Sequence, residues 1–154
     1  MFVVGVVLLV LVQFVPYGRD HSNPSVAADR AVVWPSARVE GLVRGACYDC
    51  HSNETEWRWY SNVAPMSWLV QRDVDRGRGA LNFSDFVRSE DDAVEDLADV
   101  VEDGEMPPRQ YVLARPAARL SAVEKAELIA ALEPLAEAAD GGRGRGRGRS
   151  GDDD

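Results

Sequence analysis

The chain has 154 residues with 26 acidic and 17 basic side chains, two His and two Cys, and a net charge of −9. That length holds one small domain with tails, and 45% apolar residues suffice for a core, so a multidomain enzyme and a wholly disordered acidic chain are both excluded. Two cysteines cannot build a disulfide scaffold, and an acidic body repels a phosphate backbone, so nucleic acid is not an expected partner. Lys125 is the only lysine, a bias that points to coding composition more than to mechanism.

Residues 1–17 open with an almost unbroken run of Val, Leu, Phe and Met that breaks at Pro16-Tyr17-Gly18. The run is short for a bilayer span, where about 20 residues are usual. The competing reading is a signal sequence, but no basic start precedes the run and no cleavage site directly follows it; the nearest cleavage-like sequence is Val26-Ala27-Ala28. An uncleaved N-terminal membrane anchor is the preferred expectation. Residues 18–35, with Gly18, Asn23, Pro24 and Pro35, read as a tether.

Four helices are expected in the body, residues 36–140. Ser36 caps the first, whose stripe is Val39, Leu42, Val43 and Ala46. The second runs from Pro65 to about Arg76, burying Met66, Leu69, Val70 and Val74 before a break at Gly77-Arg78-Gly79. Ser89 with Asp92 opens the third, with Val94, Leu97, Ala98 and Val101 inside and Gly104 at its end. Ser121 and Glu124 form a capping box for the fourth, which buries Leu128, Leu132 and Leu135 and is kinked or ended by Pro134. No stretch alternates with a two-residue period, so the domain is expected to be all-α. The tail, 141–154, alternates Gly and Arg before three Asp and reads as disordered.

The chemistry is concentrated in Cys47-Tyr48-Asp49-Cys50-His51. Two thiols separated by two residues can reach the two vinyl groups on one porphyrin edge, and the imidazole after them is then carried under the iron. Three other readings compete. A redox Cys pair favours a βαβ context that is missing here, and a zinc site needs two more ligands, for which the chain offers only His21. A plain Cys47–Cys50 disulfide would leave His51 without a role. Haem attachment is therefore the preferred reading. For the sixth ligand the candidates are His21 in the tether, Met66 on the second helix and Met106; Met106 is preferred because Pro107 and Pro108 stiffen its loop. Trp57, Trp59, Tyr60, Trp68, Phe83 and Phe86 could wall a porphyrin or simply form core.

These residues, with Ser52-Asn53-x-Thr55, Ala64-Pro65-Met66-Ser67-Trp68, Gly77-Arg78-x-x-Leu81-Asn82-Phe83-Ser84 and Met106-Pro107-Pro108, resemble the small haem-binding domain proteins of the class I cytochrome c type over roughly residues 8–133. The resemblance implies a cytochrome c-like helical domain with one haem c joined to Cys47 and Cys50, facing the extracytoplasmic side behind its anchor. Asp73 and Arg115 stand where that family commonly has His, so bis-histidine ligation through those positions is excluded, and Arg115 could instead pair with a haem propionate. The expected role is a mono-haem one-electron carrier with His51 proximal and Met106 distal. The alternatives are a haem sensor or peroxidase-like protein with an open sixth position, and a haem-free anchored interaction module. The redox partners are not legible.

Overall fold

The computed structural model describes residues 2–26, 29–86, 89, 93, 94 and 96–146, with side chains to residue 137. Among these there is no strand. The helices are α1 (Phe2–Val12), α2 (Ala37–Ala46), α3 (Tyr48–His51), α4 (Met66–Ala80), α5 (Leu97–Glu102), α6 (Arg109–Ala114) and α7 (Ala122–Gly146), with 3-10 turns at Trp59–Asn62 and Pro116–Ala118.

Helix α2 starts where its sequence asks. The Ser36 hydroxyl accepts from the Val39 amide at 3.2 Å, satisfying one of the free N–H groups of the first turn. Val39, Val43 and Ala46 are buried and Leu42 is half-buried. At the start of α7 the expected reciprocal cap is present: the Ser121 amide donates to Glu124 at 2.9 Å and the Glu124 amide donates back to the Ser121 hydroxyl at 3.3 Å. Leu128 and Leu132 then enter the core fully, worth about 1.5–3 kcal/mol each. The core joins Val39, Val43 and Tyr48 to Leu81, Phe83, Val94, Leu97, Val101, Leu128 and Leu132, with α7 packed on both α5 and α2.

Several expectations need correction. Helix α4 does not break at Gly77 but runs through it to Ala80, because tertiary contact at Gly77 overrides a weak local propensity. Its buried residues are Ser67, Gln71, Val74 and Gly77: of the expected stripe Val74 is buried, Leu69 and Val70 are half-buried, and Met66 is 42% exposed. Of the expected third helix, residues 93–94 and Leu97–Glu102 are helical among the described residues, and the Ser89 hydroxyl accepts from the Asn82 amide at 3.1 Å. Val94, Leu97 and Val101 are buried as expected, and Gly104, at φ +73°, closes the turn. Pro134 does not end α7, whose backbone continues to Gly146, into the segment read as tail. Ala27 and Ala28 of the cleavage-like sequence, Asp92 and residues 147–154 of the tail lie outside the described residues.

The N-terminal reading changes most. Helix α1 has 11 residues, about 16 Å at 1.5 Å per residue, roughly half of a hydrocarbon core. Among the described residues no helix is long and apolar enough to cross a membrane, so the expected transmembrane span is unsupported. The segment after α1 is bonded to the domain along its described part. The Asn23 side-chain Nδ2 donates to the Thr55 carbonyl at 3.0 Å, His21 Nε2 lies 2.9 Å from the Ser61 carbonyl, and Arg78 donates to the Ser22 carbonyl and to Asn23 Oδ1. The His21 ring stacks on Trp57 with centroids 4.6 Å apart. These contacts are invisible in the sequence because they join residues more than 30 positions apart through side chains of no distinctive type.

Candidate haem site

Helix α2 ends at Ala46, and the chain turns directly into α3. Cys47 donates to the Val43 carbonyl at 2.8 Å, and its own carbonyl accepts from Cys50 at 3.1 Å and from His51 at 2.9 Å. One tight turn thus carries Cys47, Cys50 and His51 together. Both cysteines are free thiols, half-buried in accessible surface. Burial pushes each thiol up to about 12, with the neighbouring Cys50 adding to the effect on Cys47 and Asp49 to that on Cys50.

The imidazole of His51 is oriented by the end of α4. Its Nδ1 lies 3.1 Å from the Leu81 carbonyl. A carbonyl only accepts, so Nδ1 carries the proton and Nε2 keeps its lone pair, the form that binds a metal with its other nitrogen held by the protein. Burial lowers the His51 pKa from its ordinary value and thereby favours the neutral ring, while the hydrogen bonds to Leu81 and Gly77 oppose that shift.

Two sequence motifs meet at this turn. A Cβ on Gly77 would stand 2.9 Å from the Cys50 carbonyl carbon, closer than real Cβ contacts come, so only glycine lets α4 cross the turn here. Arg78 donates from Nε to the Ser52 carbonyl at 2.7 Å and from Nη2 to the Thr55 hydroxyl at 2.9 Å. The Phe83 amide donates to the His51 carbonyl at 2.8 Å, and the Asn53 amide to the Ser84 hydroxyl at 3.0 Å. Asn82 bridges them, donating to Asn53 Oδ1 at 2.9 Å and accepting from the Ser84 amide at 2.9 Å. Phe83, 2% exposed, packs between Trp34 and Tyr48 beneath the turn. The end of α4 and the segment after it therefore form a splint that fixes His51, Ser52, Asn53 and Thr55.

On the other side, Asp49 is held from α6 and beyond. Its Oδ2 accepts from the Tyr111 hydroxyl at 2.9 Å and from Arg115 Nη1 at 2.5 Å, and its Oδ1 from the Glu56 amide at 3.0 Å. Arg115 also approaches Glu56 at 3.4 Å. The sequence offers Arg115 to a haem propionate, whereas its guanidinium here is engaged by carboxylates of the chain itself. Asp49 and Tyr111 carry no local signal that marks them for this role. Burial and the adjacent Asp49 push the Tyr111 hydroxyl well above the usual phenol range, so Tyr111 remains a donor.

Met106 stands at the head of the segment that leads through Pro107 and Pro108 to Tyr111 and Arg115; its side chain is 37% exposed. Its amide donates to the Val100 carbonyl at 3.0 Å. Met66 faces a groove of about 560 Å³ lined by Val15, Tyr17, Pro65, Trp68, Leu69 and Arg72. Of the expected aromatic wall, Phe83 is core, Trp57 stacks on His21 and Trp59 is 78% exposed.

Among the described residues no group of three or more His, Cys, Asp and Glu could hold a bare metal ion. The donor set fits haem instead: two unpaired thiols on one turn and a neutral imidazole with Nε2 available. Neither the curated proteins nor the solved structures gave a match to this chain. Residues 7–133 match the model of the haem-binding domain family, well over half of the chain. The chain therefore belongs to the haem-binding domain family and is a haem-binding protein.

Proposed function

We propose that the protein is a mono-haem c-type cytochrome acting as a one-electron carrier, with haem joined covalently through Cys47 and Cys50, His51 as proximal ligand and Met106 as distal ligand. The observation that carries this reading is the His51 Nδ1 contact with the Leu81 carbonyl, 3.1 Å, which leaves Nε2 free to bind iron on the turn that bears both thiols. When bound, haem supplies a one-electron Fe(III)/Fe(II) couple. The chain's own residues do the positioning. Leu81 fixes the ring and its tautomer, Gly77 lets α4 close over the turn, and the Asn53–Asn82–Ser84 bonds keep the turn from opening. Asp49, Tyr111 and Arg115 hold it from the opposite side. A structure so restrained at the donors suits electron transfer, which gains from small rearrangement between oxidation states.

The exposure of Met106 favours one second reading, an open sixth position serving a sensor or peroxidase-like role. In both readings α1 associates with a membrane, and the haem domain lies on the extracytoplasmic side. The experiment that tests the proposal is an absorption spectrum, oxidised and reduced, of protein made with a c-type maturation system, followed by a haem-stained denaturing gel. Sharp reduced bands with stain surviving denaturation are expected; haem lost on denaturation would overturn covalent attachment, and a high-spin spectrum would select the open position.

A further inference from the structure

Helix α1 is apolar on every face and exposed on every face: Phe2 is 85%, Val3 71% and Leu11 57% exposed. A protein groove covers one stripe of a helix, whereas lipid covers all of them, so the surroundings that match α1 are acyl chains. Its eleven described residues span about 16 Å.

The residues just after α1 fix it to the domain. The Gln13 side-chain amide pairs with the Ala64 peptide at two points, Nε2 donating to the Ala64 carbonyl and the Ala64 amide donating to Oε1, each at 3.0 Å. Nε2 also reaches the Leu9 carbonyl at 2.9 Å, tying the end of α1 into the same joint, and Arg19 donates to the Gln13 carbonyl. Five residues on, Gly18 is buried against the first turn of α4, where a Cβ would meet the Ser67 carbonyl carbon at 2.7 Å. Around this joint large apolar side chains stay exposed: Phe14, Val15 and Tyr17 at the exit of α1, and Trp59, Val63 and Met66 before and at the start of α4. They continue the apolar surface of α1 onto the domain, with Val15, Tyr17 and Met66 sharing one groove. Tyr and Trp at that level, with Arg19 and Arg72 beside them, are the residue types that occupy the headgroup boundary.

We propose that lipid covers this collar, so that the haem domain is seated on the membrane surface in one pose, with Gln13 as the lock between α1 and the domain. The proposal rests on the reading of α1 as a membrane-associated segment. It places Met66 against lipid and therefore away from iron.

The test uses the full haem-loaded chain in phosphatidylcholine vesicles containing a phosphatidylcholine with a photoreactive acyl chain, with crosslinked peptides mapped by mass spectrometry. Wild type should crosslink on α1 and on residues 59–69. Gln13→Ala should keep the α1 crosslinks and lose those on 59–69, and Trp59→Asp with Val63→Asp should do the same while leaving the Gln13 joint intact. Crosslinks confined to α1 in wild type would mean a domain hanging free and would overturn the seated pose; crosslinks on neither would overturn the membrane reading as well. Haem staining of the same samples separates the outcomes, since a stain-negative protein with both sets of crosslinks would sink the cytochrome reading and keep the pose.

Discussion

Arg115 donates to Asp49 across 66 residues of sequence, Nη1 to Oδ2 at 2.5 Å, and Asp49 lies between the two cysteines. Their side chains are only 17% and 12% exposed, so the pair is better shielded than a surface ion pair. Arg115→Ala should destabilise the folded protein by about 1–3 kcal/mol, because it leaves a largely buried carboxylate short of a charged donor. Replacing both partners, Asp49→Asn with Arg115→Met, should cost less than the single change, since no unpaired charge remains. Denaturant melts of wild type and the two variants check this; a double variant less stable than Arg115→Ala would overturn the pairing.

Helix α4 offers a paired comparison. Gly77 faces the Cys50 backbone with no room for a Cβ, while Gly79, one turn-fraction further along the same helix, has open space around its own. Gly77→Ala should cost about 1–3 kcal/mol through displacement of α4 from the turn and should reduce haem incorporation. Gly79→Ala should leave incorporation unchanged and stabilise by about 0.4–1 kcal/mol through reduced chain entropy. Thermal melts and haem staining read both; equal behaviour of the two variants would remove the close approach at Gly77 from the account.

The thiols give a pH-dependent expectation for the haem-free chain. Raising each from 9.0 to about 12 lowers the thiolate fraction at pH 8 about a thousandfold, so alkylation by iodoacetamide should be slower by about that factor in the folded chain than in urea. Because the folded state favours the protonated thiol, the stability this contributes is complete below pH 9 and is lost as pH rises toward 12. Cys47→Ser with Cys50→Ser should flatten the alkaline part of the stability curve. Folded and unfolded chains alkylated at the same rate would mean that the turn is open to solvent.

The features legible in the sequence are those that local chemistry dictates. Ser36 and the Ser121–Glu124 box name their own helix starts, and two-residue cysteine spacing followed by His names its own turn. The failures share a cause. Gly77 looks like a helix breaker until Cys50 is placed beside it, and Ser67 and Gln71 look like surface until α4 is packed. Asp49, Tyr111 and Arg115 form one group only after two segments more than 60 residues apart converge. The stretch after α1 looks like a tether because Asn23 and His21 bond to backbone carbonyls, and any segment presents those.

The two internal methionines remain to be separated, and the fold gives each a different setting. Met66 faces the groove shared with Val15 and Tyr17, on the side of α4 away from its buried face. Met106 opens the stiff segment whose continuation, Tyr111 and Arg115, is bonded to the residue between the two cysteines. If Met106 supplies the distal sulfur, Met106→Ala should abolish the weak near-infrared sulfur-to-iron band of the oxidised protein and lower the reduction potential, because a thioether favours the reduced iron. Met66→Ala should leave the band and the potential as in wild type, while shortening the apolar collar beside α1. A band lost in Met66→Ala and retained in Met106→Ala would transfer the ligand to α4 and take Met66 out of the collar; a wild-type protein without the band would leave the sixth position open and select the sensor or peroxidase-like reading.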